Sequence, residues 1–454
     1  MKRKPASLLV LSTVLALLLS ACGGAKETPA PAAAAPQAQP EQQQPVKQTK
    51  LTWWTYNRHD MDFMKAEIEK FNKENKHGIE IEYVIHSDNF PQMIDLAFQS
   101  KQAPDIYLLH ANNWSAFLQA GRTVPLEPYF SPEKKAEWAS IPRVEGSIAK
   151  SGVLNALPMY TSTSRLVYNV DLFEKAGLTR PPKTLDEMVA YAKKITEVGK
   201  VDGAYGFSAN MKSASSAINR SLLQQARLGG VNYYNFADGK YDFTGYKPYV
   251  DAWKQMWEDG SWFPGTQSLD IDPLRSQFAE GKIGMYMSIS AEAGVYANQF
   301  KPKMKWAVAP MPTATGEALG TNSLNLSSPI AISSQSEHKD LAWKVVDYFT
   351  SKDFVTRYQA EGLGIALLPG VKADQDKFKI KELAWFAVQD TDMLWPGEPT
   401  IKLEGKGYAD VFASVIYGQT SMDDAIADLN KRYNTALEKV ADKPVIAGWT
   451  PKKK

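Results

Sequence analysis

Aromatic and amide side chains follow two predicted strands, and together they suit the recognition of a sugar. A saccharide presents hydroxyl groups that need hydrogen-bond donors and acceptors, and C–H faces that pack against aromatic rings. The first group lies at the end of the strand-like run "LTWWTY" and comprises Trp53, Trp54, Tyr56 and Asn57. The second group follows "DIYLL" and comprises His110, Asn112 and Asn113. We expect both groups to bind ligand, because ligands of α/β proteins gather at the carboxyl ends of strands.

Each of these side chains also has a purely structural interpretation. Side chains alternate along a strand, so only one of Trp53 and Trp54 is expected to reach a ligand while the other enters the core. His110 equally suits a structural or capping role, and asparagines such as Asn113 favour the N-cap of a helix.

The sequence contains few of the motifs that are typical of enzymes. The five histidines are scattered without an HExxH motif, the single cysteine excludes paired thiolate ligands, and no GxSxG elbow is present. Two acidic pairs, Asp270 with Asp272 and Asp390 with Asp392, leave a secreted glycoside hydrolase as the alternative function. Otherwise the sequence predicts no catalytic residue, no metal site and no cofactor.

The elements that must position the candidate groups alternate between strands and helices. Apolar residues recur at helical spacing over 61–71, and "IEIEYV" then alternates at period two. The same order repeats from a helix opened by Pro91, and it restarts further on, where Thr184 and Glu187 form a capping box. This order predicts an α/β fold in which a parallel sheet is covered by helices.

The single cysteine lies at the end of a predicted secretion signal. Three basic residues near the amino terminus precede an apolar run over 6–21 that is too short to span a membrane. Leu19-Ser20-Ala21 directly before Cys22 resembles the lipobox of bacterial lipoproteins, in which the signal is removed and the cysteine is acylated. Residues 1–21 are therefore expected to be a lipoprotein signal peptide, and lipidated Cys22 is expected to anchor the protein outside the cytoplasm, on the cell membrane. An incidental cysteine in the signal of a secreted protein is the alternative.

Residues 22–50 are predicted to be a disordered linker to the folded body. Five Pro, six Gln and no aromatic residue lie between Gly23 and Gln48, whereas all twelve Trp follow Lys50. Without the first three basic residues and the three Lys and two Glu of the linker, the body has 46 basic and 48 acidic residues. A net charge of −2 gives no basic footprint for nucleic acid.

Four segments in the body resemble, in order, the bacterial extracellular solute-binding proteins of ABC importers. The carbohydrate group of that family, which includes maltose-binding protein, is the most similar. The most specific segment places Tyr168-Asn169, Asp171, Phe173 and Gly177 before a Pro-Pro pair and a capped helix, where the family commonly reads YNxDLFEKAGL and PPKTWDE. The other segments are "APDIYLLHANNWSAFLQAGRTVPLEPYF", "FAEGKIGMYMS" and "KDLAWKVVDYFTSKDFVTRYQAEG".

The resemblance implies a two-lobed periplasmic-binding-protein-like fold with a hinge and a ligand cleft between the lobes. It places the N-terminal lobe at 51–158 plus 310–365 and the C-terminal lobe at 159–309 plus 366–454. It also implies a monomer that closes on a carbohydrate, expected to be an oligosaccharide, and delivers it to the permease subunits of an ABC importer.

Further site residues follow from where the resemblance places the crossovers between lobes. Tyr160 follows the first crossover, Ser288 and Ser290 follow a strand of the second lobe, and Asn322 and Asn325 lie close to the second crossover. Where relatives have a stacking aromatic residue after this strand, the sequence has Ala291, so Trp395 on a Pro/Gly loop is the replacement candidate, with a buried loop anchor as the alternative. Because adjacent tyrosines bind iron in related folds, Tyr233-Tyr234 leaves a ferric-ion-binding protein as a third function.

Overall fold

Two β-sheets organise the part of the chain that the computed structural model describes, which is residues 48–86, 89–110, 113–139, 141, 143–368, 371, 378–440 and 443–451. Each sheet has its own hydrophobic core, so the two sheets define two lobes. The expected signal peptide, the lipidation site Cys22 and the linker up to residue 47 lie outside the described residues, as does the candidate Asn112. Within the described residues, no helix is both long enough and apolar enough to cross a membrane.

The first lobe is built around a five-stranded sheet in the order β2-β1-β3-β14-β6. Most of its elements come from the first part of the chain. They are β1 (Thr49–Thr55), α1 (Met61–Glu74), β2 (Ile79–Ile85), α2 (Phe90–Gln99), β3 (Ile106–Leu108), α3 (Trp114–Gln119), α4 (Pro132–Trp138), β4 (Ala149–Lys150), β5 (Val153–Leu154) and β6 (Leu157–Ser162). 

The second lobe is built around a four-stranded sheet in the order β12-β7-β11-β8. Its first run of elements follows β6 directly. They are β7 (Ser164–Asn169), α5 (Val170–Lys175), α6 (Leu185–Gly199), β8 (Tyr205–Phe207), α7 (Ala214–Arg220), α8 (Leu222–Leu228), β9 (Tyr234–Asn235), β10 (Lys240–Tyr241), α9 (Lys247–Glu258), α10 (Ile271–Ala279), β11 (Ile283–Ile289), α11 (Ala291–Asn298), β12 (Trp306–Ala309) and β13 (Asn322–Ser323).

The chain then returns to each lobe once more. Elements β14 (Asn325–Ile332), α12 (Lys339–Phe349) and α13 (Lys352–Ala360) complete the first lobe, and β15 (Asp392–Met393), α14 (Tyr408–Ile416) and α15 (Met422–Leu437) complete the second.

Both sheets are mixed, which corrects the prediction of a parallel sheet. Strands β1, β2 and β3 are parallel, but β14 runs antiparallel to both β3 and β6. In the second sheet, β7 is antiparallel to β11 and β12 while β8 and β11 are parallel. The strands that run against the rest of their sheets, β7 and β14, are the two by which the chain enters a lobe from the other one. A strand that enters from the opposite lobe runs against the strands joined by local helical crossovers.

Strand alternation explains why helices cover both faces of the second sheet. Leu166 and Met285 point into one hydrophobic core, whereas their strand neighbours Val167 and Tyr286 point into another. A sheet that is apolar on both faces must be covered on both faces.

The capping box expected at Thr184 is present. Thr184 Oγ1 accepts a hydrogen bond from Glu187 N at 3.1 Å, which fixes the start of α6.

The strand pairing locates the changes of lobe a few residues away from where the sequence suggested them. Residues 159–162 continue in β6 of the first sheet, so the chain leaves the first lobe at Thr163 instead of after 158. Residues after 309 still bind the second lobe, since Thr313 N donates to Lys183 O and Gly320 N donates to Leu228 O. The first lobe resumes at Asn325, which pairs with Ser162.

Candidate ligand-binding cleft at the lobe crossovers

A buried polar network joins the end of β1 to β6, by which the chain leaves the first lobe, and to β14, by which it returns. Asn57 Nδ2 donates to Ser328 Oγ at 2.8 Å, and Ser328 Oγ lies 3.3 Å from the hydroxyl of Tyr160. Ser328 holds a positive φ of 50°, a conformation that is costly for a residue with a side chain and that is found most often at functional sites. The network therefore fixes the candidates Asn57 and Tyr160 beside the first crossover.

The same network includes a buried carboxylate. The hydroxyl of Tyr358 donates to Asp60 Oδ2 at 2.8 Å, and His59 Nε2 lies 3.1 Å from that hydroxyl and 3.4 Å from that of Tyr160. Asp60 is only 2% exposed, and its Oδ1 has no hydrogen-bond partner among the residues described. Burial raises the pKa of Tyr160, with the nearby Asp60 charge adding to it, so the phenol stays protonated and can donate.

An aromatic wall of three half-buried rings, Trp54, Tyr56 and His110, adjoins this network. The ring of Tyr56 lies 4.8 Å from that of His110 and 5.2 Å from that of Phe90, and Trp54 lies 4.3 Å from His86. Burial raises the pKa of Tyr56 to about 12 and lowers the pKa of His110, so both side chains are neutral at pH 7. Neutral, half-buried rings are the surface that a sugar C–H face packs against.

The alternation expected at the paired tryptophans is present. Trp53 is the buried member, packed edge-on against Phe349 and Tyr83 in the first-lobe core, and Trp54 is the half-buried one. Trp53 therefore has a structural role and Trp54 keeps the position from which a ring can reach the cleft. Asn113 occupies the N-cap position of α3, but its side chain makes no capping bond and instead donates from Nδ2 to Pro91 O at 3.4 Å.

The second lobe contributes a charged cluster at the end of β11. Ser288 is buried and donates to Glu292 Oε1 at 2.6 Å, and Arg275 holds the same carboxylate through Nε and Nη2 at 2.9 Å. Burial acts to lower the pKa of Arg275, but the attraction of the Glu292 carboxylate is stronger, and the pKa is raised on balance. Glu292 is fully buried, so this ion pair is a fixed part of the wall.

The first crossover joins the two groups of polar residues. Ser290 N donates to Thr163 O at 2.9 Å, three residues along the chain from Tyr160. Thr161 Oγ1 donates to Asn325 O at 3.0 Å, which ties the first crossover to the second. Polar side chains from both lobes thus lie at the carboxyl ends of β1 and β11 on the two sides of one hinge.

A buried ion pair braces this hinge. Arg165, at the start of β7, donates from Nη2 to Asp392 Oδ2 at 2.7 Å, and both side chains are at most 1% exposed. Asn322 is also buried, with its Nδ2 3.5 Å from Asp392 Oδ1. Asp392 is therefore paired with Arg165 in a structural role. It is not available as a catalytic acid beside Asp390, as the glycoside hydrolase alternative would need. Asn322 belongs to the hinge and not to an open wall.

A loop over 394–400 contacts both lobes. Leu394 packs against the first-lobe core, while Trp395 is buried in the second-lobe core. A methyl group added at Gly397 would overlap the backbone oxygen of Glu145 in the first lobe. Thr400 Oγ1 lies 2.5 Å from Ser115 Oγ on α3 of that lobe.

Trp395 is a buried anchor for this loop. It is 4% exposed, its Nε1 donates to Thr321 Oγ1 at 3.2 Å, and the guanidinium of Arg227 lies 4.4 Å from its ring centroid. No open ring face remains for a sugar, so the structural alternative applies to Trp395.

The residues behind the other functional alternatives have structural partners. Tyr233 and Tyr234 are both buried, and the hydroxyl of Tyr233 donates to Glu398. Asp270 caps α10 through Ile271 N, and Asp272 accepts from Arg275 Nη1 at 3.0 Å. Across the described ranges, no group of three or more His, Cys, Asp or Glu residues could hold a metal ion.

Sequence reasoning missed His59, Asp60, Ser328 and Tyr358 in the first lobe and the Arg275–Glu292 pair in the second. His59 and Asp60 follow Asn57 within "YNRHD", so their place after β1 was a usable signal. Tyr358 joins them from 298 residues away, and no local pattern indicates such a contact.

Comparisons with known proteins agree with this architecture. The family model described as bacterial extracellular solute-binding protein matches residues 57–355. A binding protein of Brucella abortus is 28% identical over 306 residues, covering 65% of this chain and 71% of its own.

Two solved structures share the fold. A solute-binding protein of an ABC transporter from Thermotoga lettingae, bound to α-D-tagatose, has a TM-score of 0.68 at 20% identity and covers 86% of this chain and 99% of its own. The cyclic α-maltosyl-1,6-maltose binding protein from Arthrobacter globiformis has a TM-score of 0.66 at 16% identity with the same coverage. The family match spans more than half of the chain, and the chain belongs to the bacterial extracellular solute-binding proteins.

Proposed function

We propose that this protein captures an extracellular oligosaccharide between its two lobes and delivers it to the permease subunits of an ABC importer. The observation that carries the proposal is the meeting of polar side chains from both lobes at one hinge, next to the aromatic wall of Trp54, Tyr56 and His110. The two solved structures named above support a sugar ligand, since one holds α-D-tagatose and the other is a cyclic α-maltosyl-1,6-maltose binding protein.

The two-lobed construction accounts for capture. A ligand shifts a protein from an open to a closed state only if it binds the closed state more tightly. Contacts from both walls satisfy this condition, because a ligand that touches Asn57 or Tyr56 on one lobe and the Ser290 region on the other makes all its contacts only when the lobes close. The first and second crossovers, joined through Thr161 and Asn325, are the hinge about which closure takes place.

We also propose that the protein is a monomer held outside the cytoplasm by lipidated Cys22. The lipobox-like Leu19–Cys22 segment supports the anchor. Acylation at two positions gives stable membrane attachment where a single chain does not. Binding without turnover is proposed over glycoside hydrolysis because Asp392 and Asp272 are both bound to arginines.

Calorimetry on the mature protein tests the proposal with xylo-, malto-, gluco- and galacto-oligosaccharides. We expect one series to bind with a micromolar dissociation constant, which corresponds to about −8 kcal/mol, and we expect the recovered sugar to be unchanged. Cleavage of the bound sugar would favour the hydrolase, and binding of ferric ion with a visible phenolate band would favour the iron carrier. Cleavage of the sugar, or binding of ferric ion and of no sugar, refutes the proposal.

A further inference from the structure

One arginine near the end of β11 lacks a partner among the residues that the structure describes. Arg220 is the last residue of α7, and its Nη1 is buried without a hydrogen-bond partner. Arg220 is part-buried, and it forms no ion pair or hydrogen bond with any residue that the structure describes, whereas Arg165, Arg227 and Arg275 of the same lobe each hold a carboxylate.

The acidic residues near Arg220 already have other hydrogen-bond partners. Glu292 accepts from Arg275 and Ser288, and Asp272 accepts from Arg275 Nη1. Asp270 is half exposed and caps α10 through Ile271 N. Burial lowers the pKa of Arg220 and the charge of Arg275 lowers it further, while the nearby charges of Glu292 and Asp270 act to raise it. A guanidinium remains protonated at neutral pH despite such shifts, so Arg220 is a permanent charge from which no described carboxylate accepts a hydrogen bond.

The position of Arg220 connects it with the cleft. The next residue, Ser221, donates from Oγ to Met287 O at 2.9 Å, one residue before Ser288. Helix α7 itself follows the carboxyl end of β8, which is parallel to β11. Arg220 therefore lies at the same edge of the second sheet as Ser288 and Ser290, and Ser290 binds the crossover at Thr163.

We propose that Arg220 binds an anionic group of the ligand, so that the transported solute is an acidic saccharide. This inference rests on the proposed function and specifies its substrate class. A buried guanidinium nitrogen without a hydrogen-bond partner is costly to maintain, and a bound carboxylate or phosphate would remove that cost by accepting two parallel hydrogen bonds from the guanidinium. A uronic acid and a sugar phosphate both supply such an oxyanion.

Calorimetry separates the two sources. The carboxylate arm compares digalacturonic and cellobiouronic acids with neutral galactobiose and cellobiose, and the phosphate arm compares glucose 1-phosphate with glucose. We expect one acidic compound to bind wild-type protein at least tenfold more tightly than its neutral counterpart. Loss of a hydrogen bond to a charged group predicts that Arg220→Gln weakens that compound roughly 10- to 100-fold. The neutral counterpart should be nearly unaffected, and Arg220→Lys should retain part of the preference.

Arg180→Gln is the matched control, since Arg180 is an exposed arginine of the same lobe paired with Glu187. Thermal melting checks that each variant is folded, and the comparison of acid with neutral sugar on wild-type protein remains decisive if Arg220→Gln does not fold. Equal binding of a neutral sugar and its acid overturns this inference while leaving saccharide capture intact. Binding of no saccharide in any series overturns the proposed function together with it.

Discussion

Substitution of Gly397 by alanine should weaken ligand binding without unfolding the protein. Gly397 has no positive φ, so its backbone conformation accepts an alanine. The obstacle is the first lobe, because the added methyl group would overlap the backbone oxygen of Glu145. If the 394–400 loop meets that lobe only on closure, the substitution penalises the closed state alone.

The size of the effect follows from the cost of overpacking. Forcing one additional methyl group into a tight contact costs about 1 to 3 kcal/mol. Because ligand binds by closing the lobes, this cost is taken from the binding free energy, and the dissociation constant should rise roughly 5- to 150-fold. Calorimetry with the best-binding saccharide measures the rise, and thermal melting of the unliganded variant measures any loss of fold stability.

Gly407→Ala is the control, since Gly407 has a negative φ of −68° and an added methyl group would meet only the hydroxyl of Tyr433, at 3.8 Å. Wild-type affinity in Gly397→Ala would refute the reasoning. So would a fall in the melting temperature of the unliganded variant with unchanged affinity, because the contact would then be permanent.

Three further predictions concern the aromatic wall, the pH dependence of stability and the membrane anchor at Cys22. Tyr56→Ala should weaken sugar binding by about 2 kcal/mol, or roughly thirtyfold, while Tyr56→Phe keeps the ring and most of the affinity; equal affinity for both variants contradicts stacking by Tyr56. Burial lowers the pKa of His110, so the unfolded chain binds the additional proton first and stability should fall as the pH drops below about 6.5. Denaturant unfolding should show a smaller fall in His110→Gln, and an identical fall contradicts the assignment. Cys22→Ser should release the protein from membranes or leave its signal uncleaved with sugar affinity unchanged, as cell fractionation and mass measurement would show; wild-type protein found soluble with residues 1–21 intact contradicts the anchor.

Local patterns predicted the elements well. The period-two run of β2 and the capping box at Thr184 depend on residues within a few positions of one another, and both are present. Alternation also predicted that one of Trp53 and Trp54 would be buried.

Strand direction and the composition of the cleft could not be predicted in this way. The antiparallel course of β14 depends on the chain returning from the other lobe, which no window of sequence contains. Trp395 lies on a Pro/Gly loop that is typical of an exposed site, but Arg227, 168 positions earlier, covers its ring. The partnerless state of Arg220 is likewise evident only once Arg275 is seen to occupy Glu292.

Small-angle X-ray scattering with and without saturating saccharide is the most direct test of the trap. Closure of two lobes about the Thr163 and Asn325 crossovers predicts a smaller radius of gyration in the presence of the sugar that calorimetry identifies, and no change with a sugar that does not bind. Superimposable scattering curves at saturation would contradict hinge closure as the mechanism of capture.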